Sequence, residues 1–334
     1  MSSSSSRRRR HLAAAAVSAL ALVTAACAPG GGAGDADSFP DDNIEIIVPF
    51  SAGGPTDTVT RLVADPMAED LGVQTVVQNV EGAGGTIGAA DAASARPDGY
   101  TLLLHHIGMA TAPALYEDLA FDPVEDFKPI GLVTEVPMTI VGRSDFEPDT
   151  LEELFAYVRE NEGEVTYANA GVGAASHLCG LLIEREIGAD LREVPYDGTG
   201  PAMAELVGGQ VDFMCDQTTN TSGQINGGKI KAYAVTTPER VESLPDLPTT
   251  AEAGAENLEI TVWHALYAPK DTPEQVVSRL TESLEVALAD DAVVDQMADL
   301  GTAPVSSDRV TPDAVTSLLT EQIELWQDVI GGQG

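Results

Sequence analysis

From residue 44 onward, short apolar runs of strand length alternate with stretches whose apolar residues recur at helical spacing. Ile44 to Pro49 is a continuous apolar run, and Val59, Leu62, Val63 and Met67 then fall on one helical face. The same unit returns: Thr75 to Gln78 before a helix over Ile87 to Ala95, Tyr100 to His105 before a loop, and Val165 to Ala168 before a helix over Ala175 to Ile187. Further helices are expected over Leu151 to Glu160, Pro201 to Val207, Pro273 to Leu288, Ala292 to Leu300 and Pro312 to Val329. Further strands are expected over Val211 to Cys215, Ile230 to Thr236 and Trp263 to Ala268. Thr272 reads as the N-cap of the helix that Pro273 opens. Strands separated by helical crossovers lie parallel and are covered on both faces, so the fold class is α/β with parallel sheets flanked by helices.

The N-terminus sets the compartment. Arg7 to Arg10 form a basic block, His11 to Val23 a short apolar run, and Thr24-Ala25-Ala26 precede Cys27. That is the layout of a secretory signal, and the run is shorter than the roughly 20 residues of a spanning helix. A cysteine directly after small residues resembles the bacterial lipoprotein box, which makes Cys27 the lipidated first residue of the mature chain. The arginines also resemble a twin-arginine signal, so the export route stays open. Residues 1–26 are thus read as a lipoprotein signal peptide and residues 27–38, rich in Gly, Ala and Asp, as a flexible tether. The protein is expected to be extracytoplasmic and lipid-anchored.

Charge then narrows the partners. The chain has 17 Lys and Arg against 53 Asp and Glu, a formal net charge of −36, and loss of the four arginines with residues 1–26 takes the remaining 308 residues to −40. So acidic a surface argues against nucleic acid and anionic lipid. Only Cys179 and Cys215 remain, too few for a disulfide scaffold. They could pair in an oxidising compartment, but the expectation is two small buried apolar residues. His105 and His106 are adjacent and there is no CxxC or HExxH, so neither a metal nor another cofactor is expected.

Four loops at the carboxyl ends of expected strands are rich in glycine, small residues or hydroxyls: 49–57, 82–86, 168–177 and 195–200. In an open α/β sheet the ligand crevice lies at those ends. Glycine lets the backbone approach a ligand, and a following helix presents unpaired N–H groups and a partial positive charge. Such a site binds an anion without lysine and acts locally, whereas distant surface charge is screened over roughly 8–10 Å. The stretch after Gly171 reads GVGAAS rather than GxGxxG, and GxxxxGK[ST] and GxSxG are both missing. Ser176 beside His177 is therefore a helix-start pair rather than a nucleophile, and the chain reads as a binder rather than an enzyme.

The segments VPFSAGGPTD, GAGGTIGA, RPDGYTLLL, YANAGVGAASHL, VPYDGTGPAMAELVGGQVDFM, GKIKAYAVTT and LPDLPTTAEAG resemble, in order and spacing, the substrate-binding proteins of tripartite tricarboxylate transporters, the TctC or Bug family. The resemblance implies a two-lobed periplasmic-binding-protein type II fold, with residues 39–140 and 265–334 in lobe 1 and 141–264 in lobe 2. It implies a monomer that closes on a small carboxylate, a di- or tricarboxylate being favoured, and delivers it to the permease subunits of the transporter. A receptor that docks a membrane sensor kinase, and an aromatic acid or an amino acid as ligand, stay open. Carried over by position, the ligand residues are Phe50, Ala52, Gly53, Thr56 and Asp57 of the first loop, Gly84 of the second, and Asn169, Gly171, Ala174, His177, Tyr196 and Asp216. The family often has serine where Ala174 stands. Its strand end is commonly small or hydroxylic where this chain has His105-His106, and either histidine could donate to a second carboxylate or pack in the interior. Asp57 and Asp216 could bind an ammonium group, and Asp57 could equally cap its helix.

Overall fold

The computed structural model describes residues 39–331, so the leader, Cys27 and the tether lie outside the described residues. Its elements in chain order are β1 (Ile44–Val48), α1 (Pro55–Leu71), β2 (Thr75–Asn79), α2 (Thr86–Ala93), β3 (Thr101–His106), α3 (Gly108–Leu115), β4 (Phe127–Arg143), α4 (Leu151–Glu160), β5 (Thr166–Asn169), α5 (Ala175–Ile187), β6 (Arg192–Pro195), α6 (Thr199–Val207), β7 (Phe213–Gln217), α7 (Thr218–Asn226), β8 (Ile230–Val235), β9 (Thr261–Pro269), α8 (Glu274–Leu288), α9 (Asp291–Asp299) and α10 (Pro312–Gly331). Among these residues no helix is long and apolar enough to cross a membrane.

The nine strands follow the order β2-β1-β3-β9-β4-β7-β5-β6, with β8 also on β4. Parallel pairs form at β1/β2, β1/β3, β5/β6 and β5/β7, as the alternation requires. Antiparallel pairs are added where β9 and β4 pass through the middle. The first part of β4, Phe127 to Pro137, pairs with β9, and its last part, Met138 to Arg143, pairs with β7 and β8. One strand therefore carries the hydrogen-bond ladder from one half of the sheet to the other.

Side-chain alternation puts Ile44 and Ile46 of β1 and Leu102 and Leu104 of β3 against Val59, Val63 and Met67 of α1 and Leu280 and Leu284 of α8. Leu103 faces the other way, into a core with Met109, Tyr267, Val315, Leu319 and Trp326. All of these apolar side chains are buried, and at about 1.5–3 kcal/mol for each large one this burial fixes the helices to the two faces. α4 starts on the capping box of Thr150 and Glu153. α8 starts differently from expectation: Pro273 takes the cap position, and the Thr272 hydroxyl donates to Pro269 O instead of capping the helix.

Cys179 and Cys215 form a disulfide, contrary to the expectation of two separate apolar residues. The sequence separation of 36 carries no signal of the pairing. The bond arises because α5 lies over β7, which brings the two Cα atoms to 6.2 Å, inside the roughly 4.4–6.8 Å window a disulfide needs. It ties the first turns of α5 to the strand end that carries Asp216 and Gln217.

Closing a loop of this length contributes about 3–4 kcal/mol in the chain-entropy model. Urea unfolding of the oxidised protein and of a Cys179→Ala, Cys215→Ala variant should therefore differ by about that amount. Equal stabilities would show that the bond does not form in solution.

Candidate functional site

The carboxyl ends of β1, β3, β5 and β7 meet around a small cavity of about 20 Å³. Helices α1, α5, α6 and α7 each bring their first residues to its wall: Gly54 to Thr56, Ala174 to Ser176, Thr199, and Gln217. The four N-cap residues are Gly54, Ala174, Gly198 and Gln217, and none makes a side-chain cap hydrogen bond. The first-turn N–H groups have no carbonyl within their own helix, so these donors and the positive ends of four helix dipoles face a common space. Ala174 matters here because a serine would supply the hydroxyl that caps α5, and alanine leaves those donors open.

No lysine or arginine lines the cavity. Its acidic member is Asp216, 1 % exposed, which accepts from Gln217 N at 2.8 Å and Asn220 Nδ2 at 2.5 Å. Burial pushes its carboxyl up to about 6 against these bonds. Gln217 Oε1 is buried with no partner among the described residues, a group that a ligand hydroxyl or water satisfies.

The predicted residues fall into three places. Phe50, Thr56, His106, Ala174 and Asp216 line the cavity. Gly84, Gly171 and Tyr196 instead line an outer groove of about 580 Å³ with Tyr116 and Val172. The remainder hold loops or face solvent. Ala52 and Gly53 are exposed, Asn169 Oδ1 accepts from Gly171 N at 2.9 Å, and His177 Nδ1 accepts from Gly173 N at 3.3 Å. His105 lies behind the wall, its Nδ1 taken by His106 N at 2.7 Å, and burial together with His264 pushes it down to about 3, so its ring is neutral. Gln217, Thr199, Ser176, Ala175 and Ala170 also line the cavity and were not singled out as ligand residues. Their signal is positional: each stands at a helix start or at the end of a strand.

Asp57 is neither an open ligand nor a simple cap. Its Oδ2 accepts from Gly53 N and Arg61 Nε, both at 2.9 Å, and its Oδ1 from Arg61 Nη2 at 2.9 Å and Asn79 Nδ2 at 3.1 Å. Burial raises its pKa, but the bonds from Arg61, Gly53 and Asn79 outweigh that and hold the carboxyl below its ordinary value. Asn79 Nδ2 also donates to Phe50 O at 2.9 Å. This network fixes the loop that carries Phe50.

A wider groove of about 690 Å³ runs between α3, the loop 116–126 and α10. It displays Glu117, Asp122, Glu125 and Asp126 and no helix N-terminus, a chemistry unsuited to an anion.

The family described as tripartite tricarboxylate transporter family receptor matches residues 59–334. A protein of Agrobacterium vitis, named the UPF0065 protein in the TAR-I ttuE-ttuC' intergenic region, is 51 % identical over 298 residues, covering 89 % of this chain and 86 % of that protein. The solved structure of the periplasmic binding protein BugD superposes with a TM-score of 0.86 at 47 % identity, over 88 % of this chain and 98 % of that one. MatC from Rhodopseudomonas palustris, solved with bound malate, gives 0.85 at 40 % identity over 87 % and 100 %.

Because four donors converge on Asp57, Asp57→Ala should cost about 1.5–3 kcal/mol of stability in urea unfolding. With its folded-state pKa lowered, the Asp57 contribution is present above the ordinary carboxylate range and lost as pH falls below about 4. Asp57→Asn should flatten that acid-side loss; an unchanged acid profile would show that the carboxylate is not held this way.

Proposed function

The chain belongs to the tripartite tricarboxylate transporter receptor family, and from that premise we propose that it captures a small dicarboxylate in the cavity at the strand ends. The observation that carries this reading is the convergence of four uncapped helix N-termini in a cavity without a basic side chain. Each such terminus favours an anion by about 0.3–1 kcal/mol, and more where it is partly buried. Malate in the related MatC structure supports a compact acid as the ligand.

The mechanism is capture and closure. Residues 39–140 and 265–334 form one lobe and 141–264 the other, and β4 and β9 are the strands that cross between them. Phe50, Thr56, His106 and the start of α1 approach the ligand from the first lobe, and the starts of α5, α6 and α7 from the second. Binding energy contributed by both lobes favours the closed form, which the membrane subunits of the transporter then receive. Export through residues 1–26, lipidation at Cys27 and an extracytoplasmic location complete this reading. No bond of the ligand is made or broken.

Thermal denaturation with and without succinate, malate and citrate tests the reading. At a hundredfold excess over Kd a ligand adds about 2.7 kcal/mol, seen as a rise of several degrees in Tm. No rise with any carboxylate, after unfolding and refolding to remove copurified ligand, would overturn it.

The Asp216 carboxyl gives a pH signature. Ionised, it places a negative charge in the wall and opposes an anion; protonated, it does not. For an acid that stays fully ionised, affinity should tighten by up to about 25-fold from pH 7.5 to 5.5, as pH falls through about 6. Asp216→Asn should remove the dependence, and a profile unchanged in that variant would place the titration elsewhere.

A further inference from the structure

His106 is the last residue of β3. Its ring is 3 % exposed and is held by other rings: stacked on Phe50 at 4.5 Å and 25°, and edge-on to His105 at 5.0 Å and to His264 at 5.8 Å. Gly108 completes the seat. A Cβ there would come within 3.0 Å of His106 Cε1, so the glycine lets the turn close over the ring.

The tautomer follows from one hydrogen bond. Gly108 N donates to His106 Nδ1 at 2.9 Å, so in the neutral ring the proton is on Nε2. Burial, with His105 and His264 beside it, holds the His106 pKa well below its ordinary value and keeps the ring neutral. Its two neighbours are otherwise engaged. His105 gives its Nδ1 to His106 N, and His264 Nε2 lies 3.4 Å from Thr56 Oγ1. His106 alone of the three lines the cavity, and its Nε2–H has no acceptor among the described residues.

We propose that His106 selects for a second carboxylate on the ligand, donating its Nε2–H to that group from the β3 wall while helix N-termini hold the first. This rests on the carboxylate-capture reading and sharpens it. A fixed N–H with its other nitrogen occupied offers a donor and no acceptor, so its partner is an oxygen acceptor and not an ammonium group. A buried donor left without an acceptor costs more than one that is paired, so a monocarboxylate that puts a methyl group there loses affinity. Succinate and butyrate differ in that one respect. Both have a four-carbon chain with a carboxylate at one end; the other end is a second carboxylate in succinate and a methyl group in butyrate.

Calorimetric titration of the wild-type protein and of His106→Phe with both acids tests the assignment. Phenylalanine keeps the stack on Phe50 and removes the donor. The wild type should favour succinate over butyrate, and the substitution should weaken succinate by about 10- to 100-fold while tightening butyrate, whose methyl group no longer strands the donor. Should His106→Phe fail to fold, histidine nitrogen NMR of the wild type replaces it: one Nε2–H resonance should move on adding succinate and stay in place with butyrate. Succinate binding that is equal in variant and wild type, or an Nε2–H signal indifferent to succinate, overturns the role of His106 and leaves carboxylate capture standing. A wild-type protein that binds no carboxylate overturns both.

Discussion

The antiparallel ladder between β4 and β9 makes one site out of two half-sheets. β4 runs 17 residues and pairs first with β9, then with β7 and β8. Because β9 also pairs with β3, through His106 opposite His264, the strand ends of the first half and those of the second are set by one continuous hydrogen-bond network. The helices that follow those strands then have little choice of direction. A crossover helix starts where its strand ends, so α1, α5, α6 and α7 point their N-termini at the same space.

That arrangement answers the chain's acidity. A protein of net charge −36 presents fixed backbone amides at the cavity, where they act over a few ångströms, while its surface charge is screened over about 8–10 Å. Arginine would do the same task with a longer and more mobile side chain, and Arg61, in the second turn of α1, is committed to Asp57. The dipoles are preorganised by the helices themselves, so ordering them at binding costs little.

The alternation of strands and helices was legible because buried parallel strands leave uninterrupted apolar runs, and β1, α4 and α5 lie within a residue of where the pattern puts them. β4 was not, since Pro129, Gly131 and Pro137 break its run into pieces that read as turns; its register shifts at 129–131 and 132–134 show the strand absorbing the first two. α7 was hidden for a different reason. Thr-Thr-Asn-Thr-Ser-Gly-Gln-Ile-Asn has poor helix propensity, and tertiary bonds from Thr218 to Gly301 O and from Thr139 to Thr221 hold it instead. With α7 unseen, Gln217 at its start could not be read as a cavity residue. The disulfide was beyond reach because nothing in 36 residues of spacing records which helix crosses which strand.

The glycines of the predicted site divide along the same physical line. Gly54 and Gly198 cap helices at the cavity, while Gly84 and Gly171 meet at the outer seam, where a Cβ on Gly84 would lie 1.8 Å from Val172 O. Gly84 and Gly171 also have φ of 62° and 91°, the left-handed region that side chains disfavour. Tyr116 sits beside this seam, its hydroxyl 2.8 Å from Ala83 O and 2.7 Å from Val172 O. Loops rich in glycine thus serve two ends at once, opening amides toward the cavity on the inner side and allowing backbone to touch backbone on the outer side. Sequence marks both uses with the same letter, and only the path of the chain separates a residue that faces the cavity from one that meets the opposite loop.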